Sequence, residues 1–257
     1  MREYPILFQP EMVQAIEPRR VKWQTRRTTK LDEVNENPDD WKYIGSIVNK
    51  EGNLVNQFLN LKTDFVSHLK CPYGAPGSIL WVRETWCLYQ TVNHRRVNTG
   101  ASFSEISDGN YGYKADGFNS ISEFKDHVRL MSDSSFEAVE VKDNKWKPSI
   151  HMPKDACRIY LQNTGVRIQR LQDISEEEAI AEGIEADMYN ELWKNYLAKD
   201  TSDCHLEIYP SDSFKSLIQK INGPEIWDQN PWVRAISFRV LSTTGRPANL
   251  EELCAAS

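Results

Sequence analysis

Two alternating segments, Cys157-Arg-Ile-Tyr-Leu161 and Val166-Arg-Ile-Gln-Arg-Leu171, constrain this chain more than any other feature. A period of two puts apolar side chains on one face and polar ones on the other, which is the pattern of half-buried antiparallel strands. Asn163-Thr-Gly165 between them has turn chemistry and predicts two strands joined at that point. Next comes Ser175-Glu-Glu-Glu178, a capping box with Ile174 placed as a hydrophobic staple. A helix should therefore start at Ser175 and stop at Gly183, where glycine can take the left-handed conformation that helix ends favour. Strands followed by a capped helix exclude an all-helical protein and point to the α+β class.

The flanking sequence supplies further elements. Tyr4 to Phe8 reads as an extended segment, and Met12, Val13 and Ile16 as a short helix running through Glu17 and closed by Pro18. After the turn Pro72 to Gly77, Ile79-Leu-Trp-Val82 has a strand's composition that Glu84 to Tyr89 can continue, and Tyr111 to Tyr113 is another strand-like patch. Phe214, Leu217, Ile218 and Ile221 follow helical spacing, Trp232 to Val240 reads as a closing strand, and the tail from Thr243 as loose. The stretch from Lys30 to Lys70 is polar and lacks strong periodicity, so it reads as an insertion.

A length of 257 residues is enough to bury a core without disulfides or a structural metal, and 40% hydrophobic content excludes a disordered chain. Five cysteines at wide spacings, with no CxxC, read as buried thiols in a reducing cytoplasm, and the adjacent Cys204-His205 pair has the spacing of neither a zinc site nor a usual catalytic dyad. No apolar signal core or membrane-length run is present in the sequence, so a cytoplasmic location and no membrane partner are expected. A formal charge of -6 argues against indiscriminate coating of nucleic acid and leaves room for a local basic site.

That local site has a candidate. Pro18 to Leu31 holds six bases and no acid, whereas Leu171 to Trp193 holds eight acids and no base. Glu176, Glu177 and Glu178 suit a helix start, where the dipole favours negative charge. Glu182 sits at the predicted helix end, where the dipole disfavours its charge, and a partly buried carboxyl there is suited to trading protons. Lys22 and Thr25 are three apart, adjacent if the backbone is helical or turned; a hydroxyl so placed needs a base before it can act as a nucleophile. No metal cluster, Gly-rich phosphate loop or nucleophile elbow occurs, so neither a metal nor another cofactor is expected.

Arg20-Val-Lys22-Trp-Gln-Thr25-Arg-Arg27 resembles the G-x-K-x-x-T-x-R signature of the ASCH family, with Arg20 standing where the signature has glycine. The order of the other landmarks is similar, and Trp81-Val-Arg-Glu-Thr-Trp86 with Pro148-Ser-Ile-His-Met-Pro153 resembles the long ASCH-like proteins of bacteriophages and prophages. The resemblance implies a single domain over 1–257: a PUA-like small β-barrel with flanking helices and large insertions at about 30–70, 91–150 and 185–211.

Compact members of that family include a bacterial amidohydrolase that removes the acetyl group from N4-acetylcytidine with a Lys, a Thr and a Glu. Residue by residue, this implies catalytic roles for Lys22, Thr25 and Glu182 in hydrolysing an acyl amide on a cytidine-type nucleoside. Two routes are open: attack by Thr25 Oγ with Lys22 or Glu182 taking the proton, or attack by a water that Glu182 activates. Arg27 would orient Glu182 or bind the ligand, Arg20 would narrow the pocket or contact a phosphate, and Trp23, Arg26 and Glu84 complete the substrate-binding candidates. A competing reading is a non-catalytic RNA-binding module in which Arg19, Arg20, Arg26 and Arg27 contact phosphates and Trp23 and Trp86 stack on bases. A third is a phage assembly or host-interaction role carried by the insertions. The modified nucleoside or RNA is the expected partner, with the oligomeric state open.

Overall fold

The computed structural model describes residues 2–16, 21–96, 102–106, 110–131, 138–186, 191–198 and 206–255. In chain order, β1 (Glu3–Leu7) and α1 (Pro10–Ile16) precede β2 (Gln24–Arg27) and a short α2 (Asp32–Asn35). Next come β3 (Trp41–Val48), β4 (Leu54–Asn60), β5 (Val66–Lys70) and β6 (Ile79–Arg83). The middle of the chain forms β7 (Trp86–Arg96), β8 (Ser102–Ile106), β9 (Asn110–Tyr113), α3 (Ile121–Met131) and β10 (Ala138–Val141). The last part contains β11 (Tyr160–Arg170), α4 (Glu176–Ala181), β12 (Trp193–Lys194), β13 (Leu206–Glu207), α5 (Pro210–Asn222), α6 (Ile226–Gln229), β14 (Trp232–Ser242) and α7 (Leu250–Ala255). The mixed α+β class is as expected from the sequence.

By internal contacts the chain divides into two units, one made of 1–5, 15–81 and 159–257, the other of 6–14 and 82–158. The main sheet has the order β1-β6-β11-β14-β2, with β11 antiparallel to both β6 and β14 and β14 antiparallel to β2. β1 and β2 are its two ends, and among the described residues no pairing joins them, so the sheet is open and no closed barrel forms.

The two strands expected at Cys157–Leu171 are one strand, β11, which is a correction to the sequence reading. Its register against β14 slips between Asn163 and Gly165, so the turn-forming residues are absorbed as a bulge rather than a reversal. Asn163 is fully buried there, and its amide donates to the carbonyls of Tyr73 and Gly74 at 3.2 and 3.4 Å. Such partners let a polar residue stay inside a continuous strand. A second correction concerns the tail, which carries α7 rather than a loose end.

The polar region 30–70 forms an antiparallel sheet, β3-β4-β5. Leu31, Val34 and Phe58 are wholly buried against Trp41, Tyr43, Leu69, Ile168 and Trp232, so this sheet shares a core with β11 and β14. Burying Phe58 alone is worth roughly 1.5–3 kcal/mol. Arg234 of β14, also wholly buried, donates to Asn56 Oδ1 at 2.7 Å and to the Thr29 carbonyl at 2.6 Å. A second core of the same unit gathers Leu171, Ile174, Ala179, Ile184, Phe214 and Val233 beneath α4 and α5.

In the other unit β7 is the hub, antiparallel to β8, β9 and β10. Cys87, Ile121, Phe124 and Val141 form its core. Burial pushes the Cys87 thiol up to about 11, which makes it an inert core group. No helix among the described residues is long and apolar enough to cross a membrane. The Cys204-His205 pair lies outside the described residues.

Candidate functional site

The segment leading into β2 is held by backbone bonds. Val21 and Lys22 N–H both donate to the Ala15 carbonyl at 3.1 Å, Trp23 N–H donates to Ala181 O at 3.0 Å, and Phe238 N–H donates to Trp23 O at 2.9 Å. Residues 21–27 of the basic segment are therefore extended, with Trp23 tucked against the end of α4, instead of forming a solvated turn. Lys22, Gln24, Thr25 and Arg26 are all buried.

α4 ends where its sequence says it must. Ser175 Oγ accepts from Glu178 N–H while the Glu178 carboxylate accepts from Ser175 N–H, the reciprocal capping box. Such a cap stabilises by about 0.5–2 kcal/mol. Glu182 caps the other end, followed by Gly183 at φ +86°. A Cβ at position 183 would fall 2.7 Å from Ala15 Cβ and 2.9 Å from Lys22 Cβ, so only glycine lets this helix end approach Lys22 so closely.

The approach brings together residues 160 positions apart. Lys22 Nζ donates to Glu182 O at 2.5 Å and to Glu182 Oε2 at 3.2 Å. Arg26 Nη1 donates to Glu182 Oε1 at 3.0 Å, and its Nη2 reaches Glu178 Oε2. Glu178 also takes Arg167, and Gln169 at 3.2 Å. Burial opposes the Glu178 charge, but Gln169, Arg167 and Arg26 hold its carboxyl below the usual range. Burial draws the Lys22 ammonium below the ordinary lysine value; Glu182 opposes this, while Arg27 and Arg26 reinforce it. Arg27, half-buried, is likewise drawn down by burial and interacts electrostatically with Tyr73 and Glu182.

Thr25 behaves differently. It is wholly buried on β2, and its Oγ1 has no hydrogen-bond partner among the described residues. Being extended, β2 points Thr25 and Arg26 to opposite faces, and Arg26 is the residue on Glu182. The turned backbone that would set Lys22 beside Thr25 is not what forms, because residues 24–27 pair with β14.

A cleft of about 490 Å³ opens beside this centre, lined among others by Ile16, Lys22, Trp23, Phe238, Arg239 and Ser242. Trp23 is 48% exposed although its backbone is fixed on both sides. Arg239 is held at its wall by Gln162 Oε1, 2.6 Å from its Nε. Arg20 lies outside the described residues. Glu84 belongs to the second unit, wholly buried, with both oxygens accepting from Arg158 at 2.9 Å.

Sequence reasoning gave Arg26 to the substrate and missed its carboxylate partners. The signal was available: in an extended segment, positions 22, 24 and 26 share a face, which sets two cations side by side. Among the described residues no group of three or more His, Cys, Asp and Glu is placed to hold a metal ion. No family model, curated protein or solved structure matches the chain.

Proposed function

We propose that this chain is an ASCH-type protein of PUA-like descent that hydrolyses an acyl amide on the exocyclic nitrogen of a cytosine-type nucleoside. The observation that carries this reading is the buried pairing of Glu182 with Lys22, a residue that also lines the cleft. A lysine drawn down by burial gives up its proton more readily than an ordinary one and can alternate between amine and ammonium, which an arginine cannot do. In the reaction a water oxygen attacks the acyl carbonyl carbon as its proton passes to the Lys22 amine. The C–N bond then breaks, and the new ammonium returns that proton to the leaving nitrogen, giving a carboxylic acid and the free base. Glu182 balances the ammonium as it forms and fixes its direction. The half-exposed indole of Trp23 offers a stacking face for the base, and the cleft volume is in the range that nucleoside-sized ligands occupy.

Water is favoured over Thr25 as the nucleophile because the Thr25 hydroxyl bonds to neither Lys22 nor Glu182. The test is release of cytidine from N4-acetylcytidine, followed by chromatography. Lys22→Ala and Glu182→Gln should each lower turnover by about 10²–10⁴-fold, and Thr25→Ala should retain measurable turnover. Abolition by Thr25→Ala with affinity nearly intact would restore the hydroxyl as the nucleophile.

A second reading, non-catalytic RNA binding, draws on one specific observation, the exposed Trp23 beside Arg239 at the cleft. No release from any acylated cytosine, together with oligonucleotide affinity that falls steeply with salt, would establish it in place of the hydrolase.

A further inference from the structure

Arg26 is buried, in register with Ala235 of β14, and its guanidinium lies 5.6 Å from the centre of the Phe214 ring. That placement puts it between carboxylates rather than in the cleft. One nitrogen takes Glu182 Oε1 and the other Glu178 Oε2. Glu178 is anchored in turn by Arg167 and Gln169 of β11 and by the Ser175 N–H. A chain of polar contacts thus runs from β11 through the first turn of α4 to Glu182, the residue that caps its end, with Arg26 as the link.

A carboxylate whose sole partner was a lysine could rotate to set both oxygens on the ammonium. A planar guanidinium bridging two carboxylates fixes the plane of each. We propose that Arg26 is a positioning residue: it clamps Glu182 Oε1 against Glu178, leaves only Oε2 to Lys22, and so holds the Lys22 amine where it can act at the cleft. The proposal rests on the hydrolase reading of this centre.

Charge supports the geometry. The groups facing one another here are Lys22, Arg26, Arg27 and Arg167 against Glu178 and Glu182, four cations and two carboxylates. Guanidinium groups do not give up protons in proteins, so Lys22 is the only cation of the four that can relieve the excess. Arg26 contributes to that pressure directly, and its removal also frees Glu182 to pair fully with Lys22.

The experiment uses the full chain, with lysine labelled for NMR and the Lys22 resonance assigned through Lys22→Met. In Arg26→Gln the Lys22 titration midpoint should move up towards ordinary lysine, and kcat on N4-acetylcytidine should fall about 10–100-fold with KM within about twofold. Arg26→Lys keeps the charge but cannot bridge two carboxylates, so its kcat should lie between the two. A folded Arg26→Gln with unchanged Lys22 titration and kcat overturns the proposal, as does a raised KM at unchanged kcat, the signature of a substrate contact. Should Arg26→Gln fail to fold, Arg26→Lys decides: a lowered kcat at constant KM supports the clamp, and a wild-type kcat refutes it. A wild-type chain that turns over nothing sinks the hydrolase reading, and the titration arm then decides the clamp alone.

Discussion

Two ion clusters, one in each unit and each with a buried glutamate, are built on different rules. In the second unit Arg158 gives two matched 2.9 Å bonds to Glu84, a 2.7 Å bond to Asp116 and a face to Tyr113, 4.1 Å from the ring centre. Burial works against the Arg158 charge, but Glu84 and Asp116 more than offset it and raise the guanidinium further above its usual value. At the Lys22 centre one carboxylate is shared by two cations, and the net shift on the amine is downward. A bidentate guanidinium pair with both oxygens filled is a fixed charge suited to locking a fold. A lysine sharing its acid with an arginine, beside a cleft, is what the proposed hydrolase needs as a proton carrier.

The largest expected effect separates the clusters by chemistry. Lys22→Met should cost about 10²–10⁴-fold in turnover while the protein stays folded by circular dichroism. Unfolding of this variant would instead place Lys22 among the structural groups.

Breaking the other cluster should show in stability. Glu84→Ala leaves the part-buried Arg158 with Asp116 as its remaining carboxylate and should cost about 1–3 kcal/mol in urea denaturation. A loss under about 1 kcal/mol would mean that solvent reaches this pair as it does a surface one.

Gly183→Ala sharpens the comparison from the backbone side. The added Cβ meets Ala15 and Lys22 Cβ atoms, at a residue held at φ +86°. About 1–3 kcal/mol of stability should be lost, with turnover reduced because Lys22 is pushed from Glu182. Wild-type turnover in this variant would show that the close approach is not needed.

The smallest effect is a pH dependence. Burial outweighs Arg158 and lifts the Glu84 carboxyl above its ordinary range, with Asp116 adding to the rise. A folded-state value above the unfolded one means that the group's stabilisation is full below the unfolded value, about 4.3, and is lost as pH rises through the folded one. The stability margin of the wild type over Glu84→Gln should therefore narrow as pH rises above about 4. A margin that stays flat would contradict the burial argument.

Much of the frame around the Lys22 centre was legible in the sequence. Ser175, Glu178 and Gly183 mark α4 because capping and a left-handed stop are local chemistry, and the alternation in Trp232 to Val240 marks β14. Local chemistry misled at Asn163 to Gly165, where a buried amide finds backbone carbonyls and the strand runs on. The 30–70 sheet was hidden because β3 leaves Ile44, Ile47 and Val48 exposed, which blurs any two-residue period. Partner choice was hidden as well: nothing near Glu84 in sequence names Arg158, and nothing near Arg26 names Glu178. Those pairings come from the topology of β11 and the turns around it, not from neighbouring residues.

The pH dependence of kcat/KM for N4-acetylcytidine, compared between wild type and Lys22→Met, tests the Lys22 centre most directly. The wild type should show an ascending limb below the ordinary lysine range, near 10.4, since burial favours the neutral amine, and the limb should vanish with Lys22. An identical limb in both proteins, or no cytidine released by the wild type at any pH, would contradict the account.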